Sequence, residues 1–169
     1  MKVTGSAVIS DCGMYRYRLT REFGKGPLAT FIMLNPSTAD AEVPDQTIRK
    51  CIGFARKWEC GSIQVVNLFA FRSRSPAAMK KALDPVGPEN EKAFNEAMLI
   101  AMLRAPFGPV VCAWGTHGSH RDQDMVILGW LRKYPKIKPV ALGITKGGHP
   151  QHPLLVAYAA PLVGYQGRR

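Results

Sequence analysis

Residues 28–36 read Leu28-Ala29-Thr30-Phe31-Ile32-Met33-Leu34-Asn35-Pro36 (LATFIMLNP), an apolar run with one threonine that stops on asparagine and proline. A strand wetted on one face alternates apolar and polar residues. A near-continuous run is the pattern of a strand buried on both faces. Proline pushes the residue before it out of the helical region, so Asn35 stays extended at the strand's end. Three later runs have the same character: Ser62–Leu68 (SIQVVNL), Pro109–Trp114 (PVVCAW) and Lys138–Gly143 (KPVALG).

Helical signals separate these runs. Asp45 is a candidate cap for a helix over Gln46–Trp58, where Ile48, Ile52, Ala55 and Trp58 share one stripe. Pro76 suits the first position of a short helix to Leu83. Longer helices are expected over Glu89–Leu103 and Asp122–Lys133, and a last one over Pro153–Ala160. At the N-terminus, SAVISD and MYRYRLTREF read as a hairpin, with Tyr15, Tyr17 and Leu19 on one face and Arg16, Arg18 and Thr20 on the other. Strands alternating with helices predict a three-layer α/β/α sandwich, with a mainly parallel four-stranded central sheet plus the N-terminal hairpin. At 169 residues the chain fits a single domain, 1–169.

Composition narrows the partners. Lys and Arg number 23 against 12 Asp and Glu, a net charge of +11 that points to a polyanion such as DNA. These cations are spread along the chain, so binding is expected on the folded surface. No apolar run reaches the roughly 18–20 residues that cross a bilayer, and no signal peptide is evident. The expectation is a cytoplasmic monomer that binds no membrane. Cys12, Cys51, Cys60 and Cys112 are scattered without a CxxC pair, which argues against a disulfide framework or a zinc site. GKGPLAT lacks the spacing of a phosphate-binding loop and precedes its strand. No cofactor or metal is expected.

In open parallel sheets, ligands bind beyond the carboxyl ends of the strands. Those positions hold Asn35-Pro36-Ser37, then Asn67 with Phe69, Phe71 and Arg72, then Trp114-Gly115-Thr116-His117, and finally His149-Pro150-Gln151-His152. With His120 just beyond His117, two asparagines and all four histidines thus fall on one edge. Each has a plain structural alternative. Asn35 could close a turn, Asn67 could brace a loop, and Phe69 and Phe71 could be core. Asp40 and Asp45 could each cap the helix that follows the first strand.

With these loops in place, the chain resembles a group of small bacterial and phage proteins that share the LNPSTAD, VNLFA.R, AWG.HG and HPL signatures. At the strand ends it also resembles the uracil-DNA glycosylase superfamily. That resemblance implies a monofunctional DNA glycosylase, which flips a damaged or modified base, a pyrimidine by the resemblance, and hydrolyses its N-glycosidic bond. Asn35, beside Pro36 and Ser37, would hold the attacking water, with Asp40 or Asp45 as an assisting base. Asn67 would read the flipped base, helped by Phe69, Phe71 and His117. His152 or His149 would act on the base oxygen. Arg72, Arg74, Lys146 and Gln151 would hold DNA, with Leu154 as a wedge. The iron–sulfur branch of that superfamily has a cysteine where Phe71 stands, so no cluster is implied. A hypermodified base of phage DNA, and thus a role in antiviral defence, is the substrate suggested by the setting of the resembling group. A non-catalytic nucleic-acid-binding module and a nucleoside or nucleotide N-glycosidase are the alternatives.

Overall fold

The computed structural model describes residues 2–37 and 46–168, so the expectations for Asp40 and Asp45 lie outside the described residues. Seven strands are present: β1 (Thr4–Ile9), β2 (Arg16–Glu22), β3 (Leu28–Met33), β4 (Ser62–Asn67), β5 (Val110–Cys112), β6 (Val140–Ala141) and β7 (Val163–Gly164). The helices are α1 (Gln46–Lys57), α2 (Pro76–Lys81), α3 (Asn90–Leu103) and α4 (Gln123–Leu131). One mixed sheet runs in the order β1-β2-β4-β3-β5-β6-β7. Its middle pairings, β4 with β3, β3 with β5 and β5 with β6, are parallel. The pairings at both margins are antiparallel.

The apolar runs explain the middle of the sheet. Successive residues of a strand point to opposite faces, so each run feeds two cores. Ile32, Val66 and Cys112 pack with Phe94 and Met98 of α3 and with Ile127 and Leu128 of α4. Phe31, Val65 and Val111 pack on the other side with Ile52, Phe54 and Ala55 of α1.

Three expectations change. The sheet has seven strands, not four: the hairpin is not an appendage, since β2 pairs along β4 from Leu19↔Val65 to Glu22↔Ser62, and β7 adds a further strand antiparallel to β6. The alternation foreseen in the hairpin also breaks. Val8 pairs with Arg18 but Ile9 pairs with Arg16, which leaves Tyr17 as an extra residue in β2. Such a bulge reverses the facing of everything before it. Tyr15 and Tyr17 therefore pack together with Ala70 and Ala93, and Arg16 is buried away from them. Lastly, the helix expected over Pro153–Ala160 is a single 3-10 turn, Pro153–Leu155. Tertiary contacts claim the rest: Val156 joins the core on the α1 side, and Lys57 Nζ donates to the Tyr158 carbonyl at 2.7 Å.

Chain order sets where a ligand can enter. From β3 the chain moves to β4 on one side, then crosses to β5 on the other. The segments leaving β3 and β5 diverge, and that divergence opens a crevice at their carboxyl ends.

Candidate active site at the carboxyl edge of the sheet

A cleft of about 570 Å³ occupies that crevice. Its walls are Leu34, Asn35 and Ser37 after β3, Asn67 at the end of β4, and Ser73–Pro76 before α2. Trp114–His117 follow β5, while Thr145, Gln151, His152, Leu154 and Leu155 come from the loop after β6. Arg16, Met33, Val65, Thr47 and Ile48 close it from β2, the sheet and the start of α1.

The two asparagines are held differently. The Asn35 Nδ2 group donates to the Pro36 carbonyl (3.2 Å), the Ser73 carbonyl (3.4 Å) and Ser73 Oγ (3.3 Å). Carbonyls only accept, so this network fixes the amide's orientation and leaves Oδ1 as the atom available to a ligand. Ser73 is itself tied down, since its N–H donates to the Pro36 carbonyl and its Oγ to the Ser75 carbonyl. Ser75 then caps α2 by accepting from the Ala78 N–H at 3.2 Å. The loops after β3 and β4 are thereby knitted into one rigid rim.

Asn67 is 3 % exposed, yet its side-chain amide makes no hydrogen bond among the described residues. Its backbone carbonyl accepts from Asn90 Nδ2 at 3.0 Å. On the cleft wall, that side-chain amide is open to a hydrogen-bonding group from outside the chain.

The histidines separate by position. His152 lines the cleft, and its Nδ1 accepts from the Leu154 N–H at 3.3 Å, which puts the ring proton on Nε2. His149 does not line the cleft; its N–H donates to Thr145 Oγ1 within its own turn. His117 stands at the mouth with Nδ1 3.1 Å from Lys80 Nζ. An ammonium can only donate, so Nδ1 accepts and the ring is neutral. Burial, then the Lys80 charge, hold the His117 pKa below the usual histidine value. His120 lies away from the cleft against Phe69, its pKa lowered by burial and by the charges of Arg121 and Lys80. Gly115 joins the two histidine-bearing segments: its N–H donates to the Pro150 carbonyl at 3.0 Å, and its φ of 74° favours glycine.

Several expected residues stand elsewhere. Phe69 is wholly buried in the core on the α3 side, and Phe71 packs edge-on against Tyr15, so neither ring lines the cleft. Trp114 contributes to the lining, but its ring is buried in the same core as Phe69, edge-on against Tyr165. Arg72 NH1 donates to the Gly13 carbonyl at 3.0 Å and ties the β1–β2 turn to the loop after β4. Pro36 is buried behind Asn35, and Lys146 is exposed outside the lining. Arg74, Gln151 and Leu154 are on the walls, and Leu155 beside Leu154 is 81 % exposed. Sequence reasoning missed Arg16, Ser73 and Thr145. The polar loop FRSRSP gave a signal for Ser73; nothing local marked Arg16.

The charged side chains among the described lining residues are Arg16 and Arg74, both cationic. Among the described residues, no group of three or more His, Cys, Asp or Glu is arranged to hold a metal ion. No helix of the described residues is long and apolar enough to cross a membrane. No curated protein and no solved structure matches the chain. The sequence profile of the family described as "Protein of unknown function (DUF1643)" matches residues 16–154, most of the chain, and the protein therefore belongs to that family.

Proposed function

We propose that this protein is a monofunctional DNA glycosylase, built as a three-layer α/β/α sandwich of the uracil-DNA glycosylase type. It acts as a cytoplasmic monomer on DNA carrying a modified pyrimidine, including the hypermodified bases of phage genomes. The observation that carries the reading is the Asn67 amide, on the wall of the cleft at the strand ends with no hydrogen bond among the described residues. An amide offers a donor and an acceptor side by side, the complement of a pyrimidine's pairing edge.

The remaining walls support the chemistry. Breaking an N-glycosidic bond leaves cation character on the sugar and negative charge on the departing base. His152, with its proton on Nε2, supplies a donor for that charge; one well-placed donor is worth about 3 kcal/mol. Asn35 Oδ1 accepts from a water and orients it toward the sugar. Exposed Leu154 and Leu155 can fill the gap that a flipped base leaves in the duplex. Arg74 is placed for a phosphate beside the flipped nucleotide.

The test is direct. Duplex and single-stranded oligonucleotides with uracil, damaged pyrimidines or phage hypermodified bases are incubated with the protein and then cleaved with alkali. The reading expects strand breaks at one class of modified base, lost in Asn35→Ala and His152→Ala. DNA binding that persists without cleavage of any substrate would indicate a non-catalytic binding module. Release of base from free nucleosides at comparable rates would indicate a nucleoside enzyme.

A further inference from the structure

We infer that Lys80 and His117 form a phosphate site at the mouth of the cleft, which binds a nucleotide phosphate together with a proton taken up by His117. That the phosphate belongs to a DNA strand rests on the glycosylase reading; the phosphate chemistry stands by itself.

Two cations bridge the gap between α2 and the loop after β5, and they are used differently. Arg121, on that loop, donates from NH1 to the Leu83 carbonyl and from NH2 to the Ala82 carbonyl, both at 3.4 Å. It ties the loop to the end of α2. Lys80, on α2, has no carbonyl or carboxylate partner among the described residues; its Nζ lies 3.1 Å from His117 Nδ1. An ammonium has three N–H groups, so two remain after that contact. The imidazole, with Nδ1 accepting, carries its own proton on Nε2. These donors stand where the cleft opens, His117 exposed on the lining and Lys80 half-buried beside it.

The surroundings favour an anion with several acceptors. Arg74 lines the cleft from the segment that leads into α2, and its guanidinium has no hydrogen bond or ion pair among the described residues. The described lining holds no Asp or Glu. The other titratable or charged groups on the elements around His117 are His120 and Arg121 on its own loop and His152 after β6. Asp122, further along that loop, is held by Arg168 at 2.6 Å. A phosphodiester offers two unesterified oxygens and a full negative charge, the complement of ammonium, guanidinium and imidazole donors. An anion seated here draws the Lys80 ammonium to itself and frees His117 Nδ1 to bind a proton. Without the anion, burial and then the Lys80 charge keep His117 neutral below the usual histidine range. With it, the opposite charge favours imidazolium, so phosphate and proton bind together and affinity grows as the pH falls.

Binding measures this apart from catalysis. Fluorescence anisotropy follows a labelled oligothymidylate and a plain duplex over a range of salt. Lys80→Met should lower the slope of log affinity against log salt by about 0.7–0.9, the value for one phosphate contact. Lys136→Met, beside Pro109 at the amino end of β5, should leave it unchanged. Isothermal titration near pH 6.5, in buffers of different ionisation heat, should show proton uptake by the wild type that is lost in His117→Gln. Wild-type affinity should rise roughly fivefold from pH 8 to pH 6. Melting curves check folding, and if Lys80→Met does not fold, His117→Gln carries the test. An unchanged salt slope in folded Lys80→Met, or proton uptake that persists in His117→Gln, overturns the inference. So does polyglutamate that competes as well as oligothymidylate, since the mouth would then take acidic protein. Thymidine 5′-monophosphate that binds with the same dependence on Lys80 and His117, where neither oligonucleotide does, keeps the phosphate site and moves it to a free nucleotide. Binding of none of the three overturns it. Both effects without any base excision would keep the site and remove the glycosylase reading; excision without them would do the reverse.

Discussion

At the start of α4, the Asp124 carboxylate is wholly buried and fully engaged: Arg168 Nε donates to Oδ2 at 2.7 Å, and Oδ1 accepts from the Met125 N–H at 2.9 Å. At the end of β4, Asn67 is almost as deeply buried, yet its amide has no hydrogen bond among the described residues. The two regions differ in what the folded chain has settled for itself. The Asn67 amide lies on the cleft wall, where a partner from outside the chain can reach it; the Asp124 carboxylate has no such opening and is satisfied from within. Asn90 sharpens the contrast. It is 1 % exposed and adjoins Asn67, but its Nδ2 donates to the carbonyls of both Asn67 and Leu68.

The largest effect should come from the engaged region. Arg168→Met leaves the Asp124 carboxylate buried without its cation, and removing one partner of a buried pair is strongly destabilising. The melting temperature is expected to fall on the order of 10 °C. Double replacement, Arg168→Met with Asp124→Leu, should recover much of that loss, since no charge is then buried. A melting temperature unchanged in the single variant would mean that this pair carries no stability, and the comparison would lose its structural half.

Next comes the cleft, where the expected effect is on activity. Asn67→Ala should lower base excision by about a hundredfold to a thousandfold, the range for removing one well-placed polar group. Its melting temperature should hold, because the change breaks no side-chain hydrogen bond among the described residues. Asn90→Ala should show the opposite pattern, with a stability loss of about 1–3 kcal/mol. Were Asn67→Ala to behave like Asn90→Ala, Asn67 would be a structural brace.

The cleft's position was legible because it is written locally. Each buried run ends where the sequence turns polar, and those endings named Asn35, Ser37, Asn67, His117, Gln151 and His152, all of which line the cleft. What needed partners was hidden. That Phe69 and Trp114 both turn into the core depended on how α3 and Tyr165 pack, which no single run records. Arg16 depended on an offset of one residue between β1 and β2, which only the pairing reveals. Arg72 looked like its neighbour Arg74 until the Gly13 carbonyl claimed it. The two residues of β7 carry no pattern, since two positions cannot establish a period.

A smaller effect tests the rim that joins the asparagines. Ser75 caps α2, and Ser75→Ala should cost about 0.5–2 kcal/mol of stability. The Ser75 carbonyl, which Ser73 Oγ needs, survives that change, so Asn35 stays held and excision should be nearly unaffected. A loss of excision beyond the loss of folded protein would show that the cap itself sets the geometry of Asn35.

The smallest expected effect is on pH dependence. His117 and His120 both have pKa values below the ordinary histidine value of about 6.5. The unfolded chain therefore takes up these protons first as the pH falls. Their contribution to stability is full above the unfolded pKa and is lost as the pH drops through the lower folded values. Melting temperatures measured from pH 7.5 down to 5 should decline gently, and His117→Gln should flatten part of the slope. Lys80→Met should flatten it as well, because the cation beside His117 contributes to the lowering. His117 is exposed at the mouth, so water screens these charges and the slope should be shallow. A slope that persists undiminished in the doubly substituted His117→Gln, His120→Gln protein would place the proton-linked groups elsewhere. The mouth would then join the settled part of the molecule, leaving the Asn67 wall as the part reserved for a ligand.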